Sequence, residues 1–517
     1  MPLLRRPAVM LALIALVALV PRLAALPAAR WDRLTPDGAR FLNLARSIDR
    51  GLGFVTPEAW PAWLDPPRLP MPETIKEPGY PYALAAVNRL AHDPFRAGQW
   101  ISLLAGLLLP FATWWLARTL EPDRAVANVA ALLVAASPLL IMQSVYVMAD
   151  SLFALLVTLA LAIAAARGRD ARRELALAVG AGWALGLAYM VRAQAMLAIP
   201  AVLGMLTVGR PRREALQRIG VFLPALALAL APWMARNLRL FGHPFHSDVV
   251  AFGLWPYVDP FTLYHGLDRP PAPLGFALAH LGEIARHTLQ SVRTFGWHTL
   301  PQDLLGSRIW LVPFALGSGA ACGRWRAWWP LLLFAALICG FLFPLFWLTR
   351  YFTAFAPVAC ALTALGAIWL VRGAGARAAA GPLRVAHVAA AGLAALLVLA
   401  GVDAVRRAGD TYHPEWEAAR VWGPWLEARL APGEAVLADV TSYWAWSTDR
   451  PAVHAVLADE PRLRATLARL RVRYAALTPE FEREYAARLP AGRLPSWFRE
   501  VAADDSTGIR ILEVRPE

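Results

Sequence analysis

Eleven apolar stretches run through this 517-residue chain, each near the roughly 17–25 residues that cross a hydrocarbon core. They lie near 7–26, 98–117, 125–142, 150–166, 175–191, 194–209, 219–235, 309–323, 329–349, 352–371 and 385–402. A water-soluble core has no use for so many. The pattern imposes a mainly α, polytopic membrane bundle, because backbone polar groups in lipid must be satisfied within each helix. Only 17% of residues are charged, against about 25% in a typical soluble domain.

Arginines mark every second connection. Arg5 and Arg6 precede the first run; Arg118 and Arg124, then Arg167, Arg169, Arg172 and Arg173, then Arg210, Arg212, Arg213 and Arg218 follow in alternate loops. Arg324 and Arg326, then Arg372, Arg377 and Arg384 complete the set. These loops are predicted to be cytoplasmic. The net charge of +14 is then a matter of membrane orientation, and nucleic acid is not an expected partner. The external segments are 27–97, 143–149, 192–193, 236–308, 350–351 and everything after 402. The first run continues to about Leu26 with more spans behind it, so an uncleaved first span is expected rather than a removed signal peptide.

Within the first external loop, Ala39, Phe41, Leu42, Leu44, Ala45 and Ile48 interleave with Arg40, Asn43, Arg46, Ser47 and Arg50. This spacing predicts an amphipathic helix lying in the membrane interface, ended by Gly51-Leu52-Gly53-Phe54. A second amphipathic stretch is expected near 274–294. After 402 the composition shifts. Strand-like runs at 435–438, 452–456, 474–477 and 509–514 alternate with helical patterns at 414–430, 460–470 and 480–489. The chain therefore divides into a membrane module, 1–402, and a small extracytoplasmic α/β domain, 403–517.

Charged groups gather at the outer ends of the spans. Asp37, in Thr35-Pro36-Asp37-Gly38, has a local explanation as an acid in a helix first turn. It also suits a general base, and partial burial at the interface would raise its pKa into a useful range. Asp150 either caps the fourth span or serves as a second acid. Lys76, the only lysine in the chain, adjoins Glu77 in a Pro/Gly-rich turn. It is either a solvated loop cation or a partner for an anionic phosphate. Tyr80 and Tyr82 are belt residues or sugar contacts. Arg192, Arg236 and Arg350 sit on the side disfavoured for basic residues. Each is a favourable cation at a helix end, yet arginine also grips phosphate bidentately, and Arg350, beside Tyr351, is the best candidate for that role.

His243, His246 and His298 have no paired spacing, and Cys322, Cys339 and Cys360 show no metal-ligand spacing and no expected disulfide. No nucleotide-binding loop, zinc signature or nucleophile elbow is present. No cofactor is called for, and the sequence leaves a divalent ion undecided.

These residues resemble the polyprenyl-phosphate-dependent glycosyltransferases of the GT-C fold, nearest to bacterial family 39, relatives of the protein O-mannosyltransferases and the lipid A aminoarabinose transferase. The likeness is carried, in order over about 10–370, by Asp37 to Arg46, Gly51 to Phe54, Glu77 to Pro81, Ala149-Asp150-Ser151-Leu152, Arg192, Trp233 to Asn237, and Arg350-Tyr351. It implies inverting transfer of a sugar from a polyprenyl phosphate to an acceptor outside the bacterial cytoplasmic membrane. Asp37 is the implied base, Asp150 the second acid, Lys76 and Glu77 the entrance motif and Arg350 the phosphate-facing residue. Protein mannosyltransferases carry an Asp-Glu pair where this chain has Asp37-Gly38, a departure that counts against a protein acceptor while a lipid, a glycan and a protein all stay open. A transporter or flippase of a lipid-linked sugar is the competing reading. Such proteins place ionisable groups at the midplane and show repeat symmetry, neither of which is evident here.

Overall fold

A computed structural model describes residues 7–59, 68–248, 257, 273–375, 401–403, 406, 413–454, 460–488 and 493–515. The expected run at 385–402 lies almost wholly outside these residues.

The membrane module opens with α1 (Pro7–Ala25), α2 (Pro36–Asp49), α3 (Gly79–Ala91) and α4 (Pro94–Leu120). It continues with α5 (Arg124–Ala136), α6 (Pro138–Val145), α7 (Asp150–Ala165), α8 (Ala171–Val191), α9 (Ile199–Thr207) and α10 (Arg212–Phe241). Helices Leu281–Thr294, Leu311–Gly323, Trp325–Leu342 and Ala356–Gly375 follow. Among the described residues six helices are long and apolar enough to cross alone, or up to eight if each of two bent pairs is one span. One pair is α5 and α6, bent by 54° where Pro138 cannot supply a helical N–H. The other joins 281–304 to 308–323 at 110°, so the expected eighth run is one arm of a broken element rather than a straight rod. The first ten apolar runs each overlap a helix, but the ninth is α-helical only to Leu342. The helices at Asp150–Ala165 and Ala193–Thr207 are shorter than a full span, so the expected count is not reached among the described residues.

Small residues set the closest helix contacts. A Cβ added to Gly317 would lie 1.8 Å from the Leu362 carbonyl oxygen, and one on Gly366 would lie 1.9 Å from that of Pro313. Helices 311–323 and 356–375 thus meet backbone to backbone, as membrane helices do where side chains leave room. α8 approaches α10 in the same way through Gly182 and Gly186.

α2 corrects the sequence reading. It is not an interfacial helix with one wet face. Ala39, Phe41, Leu42, Leu44 and Ala45 are buried, and Arg40 and Asn43 are buried as well. Arg40 bonds Glu73 at 3.0 Å, and Asn43 donates to Glu58 at 3.0 Å and to the Ser442 carbonyl at 2.9 Å. Asn43 and Arg46 are covered by the C-terminal region and Arg40 by Glu73 of the following loop, while Asp49 and Arg50 at the end of the helix stay exposed.

That region holds a six-stranded sheet of order β2-β5-β4-β6-β8-β7. Its strands are β2 (Glu58–Ala59), β4 (Ala435–Ala438), β5 (Ala452–Val453), β6 (Val472–Leu477), β7 (Phe498–Asp504) and β8 (Ile509–Val514); β1 (Val55–Thr56) pairs separately with β3 (Met71–Pro72). The first four in order are parallel, and β8 and β7 close the edge antiparallel. β2 belongs to the connection between α2 and α3. The line drawn at residue 403 therefore separates strands that share one sheet. Helix Thr441–Thr448 packs on α2, where Tyr443 donates its hydroxyl to the Leu34 carbonyl at 2.7 Å and Asp449 takes Arg50 through two bonds of 2.8 Å. Trp416 adds a bond of 2.7 Å to the Trp31 carbonyl.

Candidate active site

The start of α2 is built locally. Thr35 caps the helix by accepting the Gly38 N–H at 3.0 Å, and Pro36 opens the first turn. Asp37 then stands at the positive end of the helix dipole. Two cations from far along the chain meet it there. Lys76 Nζ lies 2.8 Å from one carboxylate oxygen, and an Arg350 Nη lies 2.5 Å from the other. All three side chains are about one-fifth exposed.

Each cation is aimed by its own support. Glu73 accepts the backbone N–H of Ile75 at 2.7 Å and of Lys76 at 2.9 Å, which fixes the turn carrying Lys76. Glu73 is itself buried and clasped by Arg40. Arg350 rides on a 3₁₀ turn, Thr349–Phe352, whose Phe352 is fully buried 4.5 Å from the Phe295 ring. The Arg350 Nε–H is buried and has no hydrogen-bond partner among the described residues.

A second pair adjoins the first. Asp150 is the first residue of α7, and Arg192 forms the extended C-cap of α8; their side chains are hydrogen-bonded. The Tyr351 ring lies between the arginines, 5.0 Å from the Arg192 guanidinium and 5.7 Å from that of Arg350. Glu77 completes the group. Burial pushes its carboxyl up to about 7, although backbone N–H groups and the charges of Lys76 and Arg192 pull the other way.

The electrostatics at Asp37 reverse the sequence expectation. Burial raises its pKa, but Arg350 and Lys76, with Arg192 further off, outweigh that and hold it well below the usual carboxylate range. Arg350 is held in its charged form, because Asp37 and Asp150 outweigh the burial that disfavours it.

Six of the residues singled out in the sequence thus converge: Asp37, Lys76, Asp150, Arg192, Arg350 and Tyr351, with Glu77 coupled to them. Three do not join them. Tyr80 is fully buried, with its hydroxyl 3.0 Å from the Gly98 carbonyl and 3.1 Å from Ser102. Tyr82 is exposed and stacked on Phe54. Arg236 donates to the Phe54 carbonyl at 3.2 Å and the Glu73 carbonyl at 2.9 Å, over the Trp233 ring, and so anchors the first loop. Glu73 went unnoticed in sequence, and Arg40 was read only as a polar position of the helix. The only trace was their spacing, three residues before Lys76 and three after Asp37. Among the described residues no group of three His, Cys, Asp or Glu side chains is arranged to hold a metal ion.

A helical membrane bundle joined to a small α/β unit is the GT-C glycosyltransferase fold. Residues 72–235 match the family model described as dolichyl-phosphate-mannose-protein mannosyltransferase. No curated protein matches the chain in sequence. Among solved structures, the chain resembles the oligosaccharyltransferase of Archaeoglobus fulgidus tethered to an acceptor peptide, with a TM-score of 0.66 and 15% identity over 99% of this chain and 74% of that one. It also resembles ArnT from Cupriavidus metallidurans bound to undecaprenyl phosphate, with a TM-score of 0.62 and 15% identity over 98% of each chain. A third likeness is the mycobacterial arabinofuranosyltransferase AftD, with a TM-score of 0.52 and 14% identity over 97% of this chain and 41% of that one. At such identities the likeness speaks for the fold.

Proposed function

We propose that this protein transfers a sugar from a polyprenyl phosphate to an acceptor at the outer face of the bacterial cytoplasmic membrane, with inversion and with Asp37 as general base. The observation that carries this reading is the position of Asp37 between Lys76 and Arg350, brought from three distant segments. Two cations with a shared carboxylate, one carrying a spare N–H, suit an incoming phosphate.

The resting ion pairs explain how a strongly acidic carboxyl becomes a base. A donor phosphate competes for Lys76 and Arg350. As they turn to it, Asp37 loses the charges that depress it and keeps its desolvation, so its pKa climbs. The acceptor oxygen or nitrogen then attacks the anomeric carbon opposite the phosphate. Its proton passes to Asp37, the bond from carbon to phosphate oxygen breaks, and polyprenyl phosphate departs with the bonding electrons, its new charge met by both cations, which stay with the protein. Lys76 and Arg350 supply the positive charge that the leaving phosphate needs, so this route requires no divalent ion.

The test is donor consumption by purified protein given labelled polyprenyl-phosphate sugars and a crude envelope extract. Wild type consumes donor, and Asp37→Asn binds it without turnover. Equal turnover by the two removes Asp37 as base. Passage of intact donor across vesicles without cleavage favours a flippase instead.

A further inference from the structure

Asp37 is aimed by the start of α2, and part of what fixes that start comes from outside the membrane module. The first carbonyl taken up by the helix is that of Thr35, which accepts the Ala39 N–H at 2.9 Å. The Leu34 carbonyl stands one residue earlier, and its partner is the hydroxyl of Tyr443, at 2.7 Å, from 409 residues further along the chain. On the other flank the same turn meets the segment that leads to Asp150. A Cβ added to Gly38 would lie 3.2 Å from the Val147 carbonyl oxygen, and the Thr35 hydroxyl lies 3.5 Å from the Met148 sulfur. The turn that carries Asp37 is thus wedged between the bundle and the C-terminal unit.

Tyr443 is built to donate. It is fully buried, and its ring lies 5.2 Å from that of Trp416. Burial, with the charges of Glu415 and Asp37, raises its pKa well above the ordinary value for tyrosine, so the hydroxyl keeps its proton throughout a pH series. The bond matters most once a donor arrives. At rest, Lys76 and Arg350 hold the Asp37 carboxylate from both sides. In the proposed mechanism both cations turn to the phosphate, and the carboxylate is then located by its backbone. A misplacement of about 1 Å in a reacting group costs on the order of a hundredfold in rate. A contact that fixes the Leu34–Thr35 peptide is therefore nearly redundant at rest and decisive during transfer.

We infer that Tyr443 is a positioning residue for the base. Through the Leu34 carbonyl it lets the C-terminal unit fix the turn that carries Asp37, and this makes that unit part of the catalytic apparatus. The inference rests on the reading of Asp37 as general base. The rest of the interface is different in kind. Asp449 pairs with Arg46 and Arg50, roughly 14 to 20 Å further along α2, and so holds the helix without touching the turn at its start.

The test compares two variants of the full chain. Tyr443→Phe keeps the buried ring and removes only the hydroxyl. Asp449→Asn weakens the far end of the same interface and serves as the control for loosened docking. Each is assayed for consumption of labelled polyprenyl-phosphate sugars with envelope extract, for thermal melting, and for amide hydrogen exchange over residues 36–42. Tyr443→Phe is expected to lower kcat about two- to tenfold, the effect of one neutral hydrogen bond, with donor KM little changed and faster exchange over 36–42. Asp449→Asn should melt earlier than wild type yet keep its kcat. A wild-type kcat in Tyr443→Phe, unchanged exchange over 36–42, or an equal loss of kcat in both variants would overturn the inference. Turnover by Asp37→Asn equal to wild type is a separate result: it removes the base itself, whatever Tyr443→Phe does.

Discussion

Replacing Arg350 by Gln removes one of the two cations that hold Asp37 while keeping a polar side chain of similar length. The ion pair at 2.5 Å is one-fifth exposed on both sides. Two unit charges about 4 Å apart at an effective dielectric near 20 interact by about 4 kcal/mol. Much of that is recovered in the variant, because Asp37 keeps Lys76 at 2.8 Å and is not left as a bare buried charge. We therefore expect a folded protein, destabilised by about 1 kcal/mol. Catalysis should suffer more. A hydrogen bond to a charged group contributes about 1.5–3 kcal/mol, so loss of the phosphate contact should lower kcat/KM roughly ten- to a hundredfold. The pH profile should also change in a stated direction. Without Arg350 the Asp37 carboxyl rises, so it is protonated at higher pH, and activity on the acid side is lost earlier than in wild type. Arg350→Lys restores the charge but not the fork or the Nε–H, and should recover only part of the rate. The assay is donor consumption across a pH series, with a thermal melt of each variant. Activity within twofold of wild type in a folded Arg350→Gln protein would refute the placement of phosphate at this guanidinium.

Two further predictions concern stability. Gly366→Val forces side-chain atoms into the Pro313 carbonyl, whose oxygen lies only 1.9 Å from the point a Cβ on that glycine would occupy, so helices 311–323 and 356–375 must part; size-exclusion chromatography should show little monodisperse protein, and a wild-type melt would contradict the close-contact argument. In the C-terminal unit, burial lifts the Asp439 carboxyl to about 6, although Thr478 and the Val440 N–H bond it, and burial lowers His454 to about 4. Between about pH 4 and 6 these groups work in opposite senses. Raised Asp439 favours the folded state at low pH and loses that contribution as pH rises to about 6, whereas lowered His454 costs stability as pH falls from its unfolded value towards 4. Asp439→Asn should therefore leave a unit that steadily gains stability from about pH 4 to 6, and His454→Gln one that steadily loses it. Protection of residues 435–514 from proteolysis measures both, and parallel profiles in the two variants would rule the assignment out.

What could be read from the sequence is what is encoded locally. Thr35-Pro36 starts a helix wherever it stands, so the place of Asp37 was legible. Alternating arginines put residues 37, 76, 150, 192 and 350 at one side of the bilayer, and the helices of the bundle keep them there. What escaped depends on partners far along the chain. α2 has the periodicity of an interfacial helix, and nothing within it says that Ser442 and Asp449 cover its polar face. β2 is two residues long, too short for any alternation, and exists because Ala452 and Val453 pair with it. The direction of the Asp37 shift failed for the same reason. Local sequence reveals the desolvation but not the cations that outweigh it.

The resting cluster also has a logic that no single residue displays. Lys76, Arg192 and Arg350 would repel one another in a pocket prepared for phosphate and left empty. Asp37 and Asp150 each take up one or more of them, and Glu77, its carboxyl near 7, carries only part of a charge at neutral pH. The group is then close to neutral with a small positive surplus, so it is stable alone and still attracts an anion. On the proposed mechanism a donor phosphate would need only to exchange with Asp37, and that exchange would free the carboxylate next to the anomeric carbon. Phosphate binding and base activation would then be one event, and a variant that loses the first should show a defect in the second even when acceptor is saturating.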